Sequence, residues 1–316
     1  VPQGNENFVL MDSTHVMSAS EHLGINAKGY NGTGDFGKQA RLMYLFQAKL
    51  SRPVYYRLVN GNMTDISCMS LCIKELGIRQ VVFIADKGFY SEKNLKALAG
   101  QNLYYLIPLR RNNPLIDYYP VSRKDFKKSG RYFIWQGRII WYYQYEREGK
   151  RLVTYLDERL RVEEEEDYLG RIASHPEGYS EAGYHERLDR FGTLTLIYRT
   201  EKEQSAQYLY EVYKQRNEIE VMFDSYKTFL RADVMYMQNR YVLEGWLFVN
   251  FLSMIGYYKL YDRLRKAKLL AKESPKDVIE LAKSIYQVRI QGEWNRSEIA
   301  QRIKKLFEKL EIDSLT

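Results

Sequence analysis

The run VVFIAD, residues 81–86, limits the fold more than any other part of the chain. It is an unbroken apolar stretch of strand length that ends on a carboxylate, so it reads as a strand buried on both faces. SEKNLKALAGQ follows with helical periodicity, and LYYLIPL after it is a second buried strand. Two buried strands joined by one helix lie parallel, because an antiparallel pair would need only a hairpin. Parallel strands with helical crossovers place the chain in the α/β class.

The upstream residues extend this plan. FVLMDSTHV is a short apolar run with Asp12 inside it. After a glycine-rich loop, GYNGTGDFGKQ, come the strand-like ARLMYLFQAKL and RPVYYRLVN and a Gly-Asn turn. DISCMSLCIKELG has helical periodicity and a terminal glycine. The order β-β-β-α-β-α-β within the first 110 residues is that of a ribonuclease H-like mixed sheet with flanking helices. It sets the first strand at the centre, beside the fourth, and makes Asp12 and Asp86 neighbours.

Beyond residue 110 the character changes. RYFIWQGRIIWYYQYEREGKRLVTYL is aromatic and β-rich, RVEEEEDYLGR is an acidic helical piece, and GTLTLIYRT is a strand. A structureless loop of such length is improbable. Residues 115–192 therefore read as a β-rich insertion between a first core part, 1–114, and a completing part, 193–316, that is helical from about 203 onward. Helices are expected from Tyr213 through Lys227, from Tyr241 to Lys266, from Ser274-Pro275 with Asp277 in the first turn, and from Asn295 with Glu298 three residues on.

Within YKQRNEIEVMFDSYK, residues 213–227, a helical wheel at about 100° per residue gathers Tyr213, Arg216, Glu220 and Lys227 within roughly 60°. Val212, Ile219, Met222, Phe223 and Leu230 form the neighbouring core-facing stripe. Arg216 and Glu220 alone are no more than an i,i+4 ion pair. Asp12 and Asp86 say more: a carboxylate in or at the end of a buried strand is costly unless paired or bound to metal. Each alone could be satisfied locally, Asp86 by a turn over Lys87-Gly88. Two on adjacent strands, with Glu220 arriving on a helix, suit hard divalent ions. GTGDFG, residues 32–37, matches G-x-G-x-x-G but is followed by a strand rather than a helix, which rules out the dinucleotide reading. It remains either a permissive loop or an active-site loop that touches phosphate through Lys38.

The spacing Y-x-x-R-x-x-x-E-x-x-x-x-x-x-K is matched at all four places by Tyr213, Arg216, Glu220 and Lys227. It resembles the signature of bacterial insertion-sequence transposases with a DDE active site, of the insertion-sequence-four group. DSTHV resembles that family's first-aspartate block, NGNMTD the segment after its third strand, IADKGFYSEKNL its second-aspartate block, and EGWLFVNFLSMIGYY the helix after the signature. The likeness runs through about residues 8–310.

That resemblance implies a catalytic triad of Asp12, Asp86 and Glu220 holding two Mg²⁺ ions, with Mn²⁺ able to substitute. It implies hydrolysis at transposon ends followed by strand transfer into target DNA, with a DNA hairpin as an optional intermediate. Tyr213, Arg216 and Lys227 would hold the phosphate and bases beside the cut, and either Trp135 or Trp141 would hold a flipped base. The implied partners are double-stranded DNA and a second copy of the chain on paired ends. A metal-dependent nuclease of the same fold, and an inactive DNA-binding derivative, are the alternatives. The family's end-recognition region is expected to be missing, since eleven residues precede Asp12 and the chain starts at Val1.

Charge and composition agree with a polyanionic partner: the formal net charge is +8 and the pI about 9.1. The basic stretch LRRNNPLIDYYPVSRKDFKKSGR interleaves cations with aromatics. The two cysteines, Cys68 and Cys72, suggest small core residues rather than a disulfide framework. The longest apolar run, GWLFVNFLSMIGYY, is too short for a membrane span and contains Asn250. A cytoplasmic, nucleoid-associated protein with no membrane partner is the expectation.

Overall fold

A computed structural model of the chain describes residues 7–20, 23–24, 27–30, 36–47, 52–63, 71–72, 74–75, 81–100, 102–122, 125–128, 131–232 and 234–312. In chain order these include β1 (Asn7–Ser18), β2 (Ala27–Tyr30), β3 (Phe36–Gln47), β4 (Arg52–Asn60), β5 (Val81–Ile84), α1 (Glu92–Gly100), β6 (Tyr104–Pro108), β7 (Tyr132–Trp135), β8 (Arg138–Arg147) and β9 (Lys150–Asp157). Then follow α2 (Glu158–Ser174), α3 (Glu181–Arg187), β10 (Thr193–Arg199), α4 (Ala206–Lys214), α5 (Asn217–Thr228), β11 (Val234–Met235), α6 (Arg240–Lys266), α7 (Pro275–Ala282), β12 (Gln287–Ile290), β13 (Glu293–Arg296) and α8 (Gln301–Lys309). The result is a mixed α/β fold with a large mixed sheet and flanking helices. The chain divides into two compact units, Val1–Asp12 with Thr64–Asn217 and Ser13–Met63 with Glu218–Thr316.

In the first unit the strand order is β1-β5-β6-β10-β9-β8-β7. The first half of β1 pairs parallel with β5, from Asn7↔Val81 to Leu10↔Ile84, and β5 pairs parallel with β6. These are the neighbours expected from strand order. β10 is antiparallel to both β6 and β9, so the aromatic strands β7–β9 continue this sheet rather than form a separate one. The parallel strands are apolar because both faces are covered: Leu10, Val82, Ile84 and Leu106 are fully buried. α2 starts where Asp157 caps it, its carboxylate accepting from Arg159 N and Leu160 N at 3.0 and 3.1 Å.

In the second unit β3 pairs antiparallel with β2 along its first part and with β4 along its second. The end of β1 pairs parallel with β11 through Met17↔Val234. The core is aromatic: the Tyr44 ring lies 5.8 Å from Phe223, 5.9 Å from Tyr226 and 6.1 Å from Phe251. α6 bears Phe251, and at its far end a smaller apolar cluster joins Leu264 to Val278 on α7 and to Ile303 and Phe307 on α8. The helix expected from Ser274-Pro275 is present as α7, and Ser274 and Asp277 bond reciprocally at its start in a capping box that the sequence pattern suggests instead at Asn295 and Glu298. Among the described residues no helix is long and apolar enough to cross a membrane.

Three expectations are corrected. The helix expected across Tyr213–Lys227 is two helices. The Gln215 N–H bonds to Glu211 O and Val212 O, both at 3.2 Å, and the Arg216 N–H to Tyr213 O at 3.0 Å, so the last turn tightens before α5 restarts at Asn217. The wheel that assumed one uninterrupted helix is therefore broken between Arg216 and Glu220. The last helix starts at Gln301, not Asn295, and has no side-chain cap; Asn295 lies in β13, because the Gln291-Gly292 turn folds that segment into a hairpin first. Part of the glycine-rich segment is strand: Gly29 pairs with Gly37, and Lys38 lies on β3 opposite Lys28. Residues 31–35 of that segment, Cys68, and most of the helix expected over 65–77 lie outside the described residues.

Candidate active site

Asp12 stands in the middle of β1, and Asp86 stands two residues past the end of β5. Their parallel register brings them together: Leu10 pairs with Ile84, and each aspartate is two residues further along its strand. At Asp86 the chain turns into a short 3₁₀ turn, Lys87–Phe89. The Asp86 Oδ1 accepts from Lys87 N at 2.6 Å and its carbonyl from Phe89 N at 2.9 Å. That turn holds the carboxylate still and leaves Oδ2 to face elsewhere.

It faces a guanidinium. Arg216 Nη2 lies 3.7 Å from Asp12 Oδ2 and 3.9 Å from Asp86 Oδ2. These are ion pairs at long range rather than hydrogen bonds. The Arg216 side chain is 15% exposed, Asp12 23% and Asp86 40%, so the cluster opens to solvent on the Asp86 side. A unit pair at about 4 Å is worth about 4 kcal/mol gross at an intermediate effective dielectric, and this degree of solvation cuts the net to roughly 1 kcal/mol. One cation thus offsets the mutual repulsion of two neighbouring carboxylates.

Arg216 is positioned by α4. Ser205 caps that helix, its Oγ accepting from Tyr208 N at 3.2 Å, and Leu209, Tyr210 and Val212 are buried beneath it. The Tyr155 hydroxyl, on β9, donates to Ala206 O at 2.7 Å and fixes the first residue of α4. Tyr213 lies on the same helix and is half-buried.

One neighbour was not singled out in the sequence. Lys214 Nζ sits 5.2 Å from the Tyr210 ring centroid and 5.6 Å from that of Trp135. Burial lowers its pKa, an effect Arg138 adds to and Asp157 opposes. A lysine between two signature residues looks like part of a solvated helix row; Tyr210 stands four residues before it on the same helix, while Trp135 comes from the aromatic β-ribbon, distant in sequence.

The two tryptophans separate clearly. Trp135 pairs across strands with Arg138, and Tyr132 with Trp141, so Trp135 and Trp141 project to opposite faces of the β7–β8 ribbon. Trp135 faces α4, its ring 5.4 Å from Tyr210. Trp141 faces Lys127, 6.0 Å away, and packs near Val121 and Leu156.

Glu220 and Lys227 are on α5, in the second unit. Both are exposed, and a separation of seven residues puts them on one face of α5. Phe223 and Tyr226, on the adjoining side of the helix, are buried against Tyr44. Of the expected stripe, Val212 and Phe223 are buried and Leu230 is half-buried, while the side chains of Ile219 and Met222 lie outside the described residues. Lys38 is exposed on β3.

The structure therefore brings together Asp12, Asp86 and Arg216. Two hard anionic oxygen donors held abreast around a cationic group fit Mg²⁺, which takes one or two carboxylates and keeps its waters. Among the described residues no three His, Cys, Asp or Glu side chains form a metal-binding group.

A family model described as "Transposase DDE domain" matches residues 3–255. No match was found among curated protein sequences. Among solved structures, the chain is similar to a piggyBac transposase synaptic complex with hairpin DNA, at 8% identity and a TM-score of 0.45, covering 96% of this chain and 51% of that one. It is similar over 32% of its length to a Mos1 transposase paired-end complex with the left transposon end, at 17% identity and a TM-score of 0.21, covering 34% of that chain. The chain thus spans about half the length of the piggyBac protein and about a third of the Mos1 protein.

Proposed function

The chain belongs to the transposase DDE-domain family, and on that premise we propose that it cuts DNA at the ends of a mobile segment and joins the freed 3′ ends to target DNA. The observation that carries this reading is the pair of aspartates abreast, Asp12 within β1 and Asp86 just past β5, with one guanidinium nitrogen 3.7 and 3.9 Å from them.

Asp12 and Asp86 would hold Mg²⁺, or Mn²⁺ in its place, with Glu220 as third ligand. Bound there, the metal supplies Lewis acidity to the attacking and leaving oxygens of a phosphodiester. In the first step the oxygen of water bonds to phosphorus and the bond to the 3′ oxygen breaks. In the second that 3′ oxygen bonds to a target phosphorus, and the target strand's own bond from that phosphorus to a 3′ oxygen breaks, that oxygen leaving as a 3′ hydroxyl. Arg216 has two tasks in this scheme. It neutralises the aspartates while the site is empty of substrate, and it turns to the phosphate as a charge-assisted donor when DNA arrives. Lys227 supplies a second phosphate contact, and Tyr213 lies against the sugar-phosphate beside the cut. Trp135, on the α4 side of the ribbon, is the better of the two tryptophans to stack on an unpaired base. A dimer on paired ends is the assembly that acts.

The test uses the full chain, supercoiled plasmid, and a labelled oligonucleotide with a free 3′ hydroxyl. The expected result is metal-dependent nicking together with covalent joining of the label to plasmid. Nicking without joining would mark a nuclease instead, and no reaction with either metal would refute the reading.

A further inference from the structure

β12 and β13 stand apart from the main sheet as a two-stranded ribbon, and all eight of their residues are exposed. Gln291 and Gly292 form the tip, with φ of 51° and 90°, the two positive angles a tight hairpin of this twist needs. The base is closed by Ser297 N to Tyr286 O at 2.8 Å and Tyr286 N to Ser297 Oγ at 3.1 Å. A ribbon of two strands is at best marginally stable in water, so one this bare is built to meet something.

Its register sorts the side chains. Gln287 pairs with Arg296 and Arg289 with Trp294, so these four share one face; Val288, Ile290, Glu293 and Asn295 share the other. The first face therefore has two arginines on a diagonal, an amide, a tryptophan that is 67% exposed, and no carboxylate. Arg289 Nε donates to Gly292 O at 3.2 Å, which holds that guanidinium near the tip. Charge, donors and an aromatic on one narrow strip fit a polyanion with grooves. The major groove of duplex DNA, about 12 Å wide, admits a two-stranded ribbon.

We infer that the Gln287/Arg289/Trp294/Arg296 face of this ribbon is a duplex-DNA contact in the second unit, with the arginines on phosphates and Trp294 against the groove wall. The inference takes DNA as partner from the function proposed above, but it needs no catalysis.

The test is a salt titration of full-length chain against a labelled random-sequence duplex. Each phosphate contact contributes about 0.9 to the slope of log affinity against log salt. Arg289→Ala with Arg296→Ala should lower that slope by nearly two and weaken binding on the order of tenfold at physiological salt. Arg289→Glu with Arg296→Glu should weaken it further. Val288→Thr with Asn295→Ala, on the other face, should leave both unchanged. An unchanged slope in the arginine variants overturns the inference. So does equal loss in the other-face variant, which would make the ribbon's fold the cause. Loss of self-association rather than DNA binding would also overturn it, since the ribbon would then pair with a second copy. If the chain fails to cut DNA while the slope still falls as stated, the catalytic reading fails and this one stands.

Discussion

Gly192→Ala tests the packing of the start of α2 against the turn into β10. Gly192 precedes β10 with φ of +67°, its N–H donates to Glu164 Oε2 at 2.7 Å, and its carbonyl accepts from Asp157 N at 3.0 Å. A Cβ there would lie 2.5 Å from Asp157 O, 2.6 Å from Arg161 Cβ and 2.8 Å from Arg161 Cα. Two of these are backbone atoms at the start of α2, so relief means moving that helix away from β9. Left-handed backbone costs an L-residue roughly 1–2 kcal/mol, and overpacking of this kind typically another 1–3 kcal/mol. The expected loss is therefore about 2–5 kcal/mol. Gly149 separates the two contributions: its φ is also +67°, but a Cβ there meets nothing within 4 Å. Gly149→Ala should cost only the backbone part, about 1–2 kcal/mol. The assay is urea unfolding of both variants beside the parent, followed by fluorescence and circular dichroism. Equal losses in the two variants, or a Gly192→Ala loss within the error of the parent, would refute the packing described for Gly192.

Other outcomes follow from the same structure. Arg216→Ala should bind Mg²⁺ about fivefold more tightly by calorimetry, the equivalent of the roughly 1 kcal/mol assigned to its pairing, while cutting DNA more slowly; looser metal binding would contradict the pairing with both aspartates. Tyr155→Phe should lose about 1 kcal/mol in denaturant unfolding, for one buried hydroxyl that no longer reaches Ala206 O; a stabilised variant would contradict that bond. Lys214 has a pKa lowered by burial, so the unfolded chain binds its proton more readily between that lowered value and 10.5, and this residue's contribution makes stability rise with pH across that window. Lys214→Met should therefore be more stable than the parent at pH about 7, by a margin that shrinks towards the unfolded value near 10.5. A margin that grows with pH would show that the two rings stabilise the cation more than burial penalises it.

Much of the site was legible because strand order and burial are local signals. VVFIAD and LYYLIPL declared themselves as buried parallel strands, and a carboxylate at the end of one strand and inside another drew attention to Asp86 and Asp12. The register then did what the sequence order implied. What the sequence hid depends on contacts between distant segments. Tyr213 to Lys227 has the periodicity of one helix, yet the tightened turn at Gln215 and Arg216 interrupts it, and no proline or glycine marks the spot. The sequence starts a helix at Asn295, inside what is the second strand of the ribbon, because Asn295 and Glu298 imitate a capping box, while the decisive signal is Gln291-Gly292, a turn pair weaker than Asn-Gly. Lys214 was passed over because its aromatic partner Trp135 lies 79 residues upstream.

The central claim is that Asp12 and Asp86 act as one metal-holding pair. Its most direct test is plasmid nicking by Asp12→Ala, Asp86→Ala and the double variant, each at saturating Mg²⁺ and each checked for DNA binding. Residues that act as a unit lose function together, so each single variant should fall to the residual activity of the double one while still binding duplex DNA. Nicking near the parent rate by either single variant would contradict the claim.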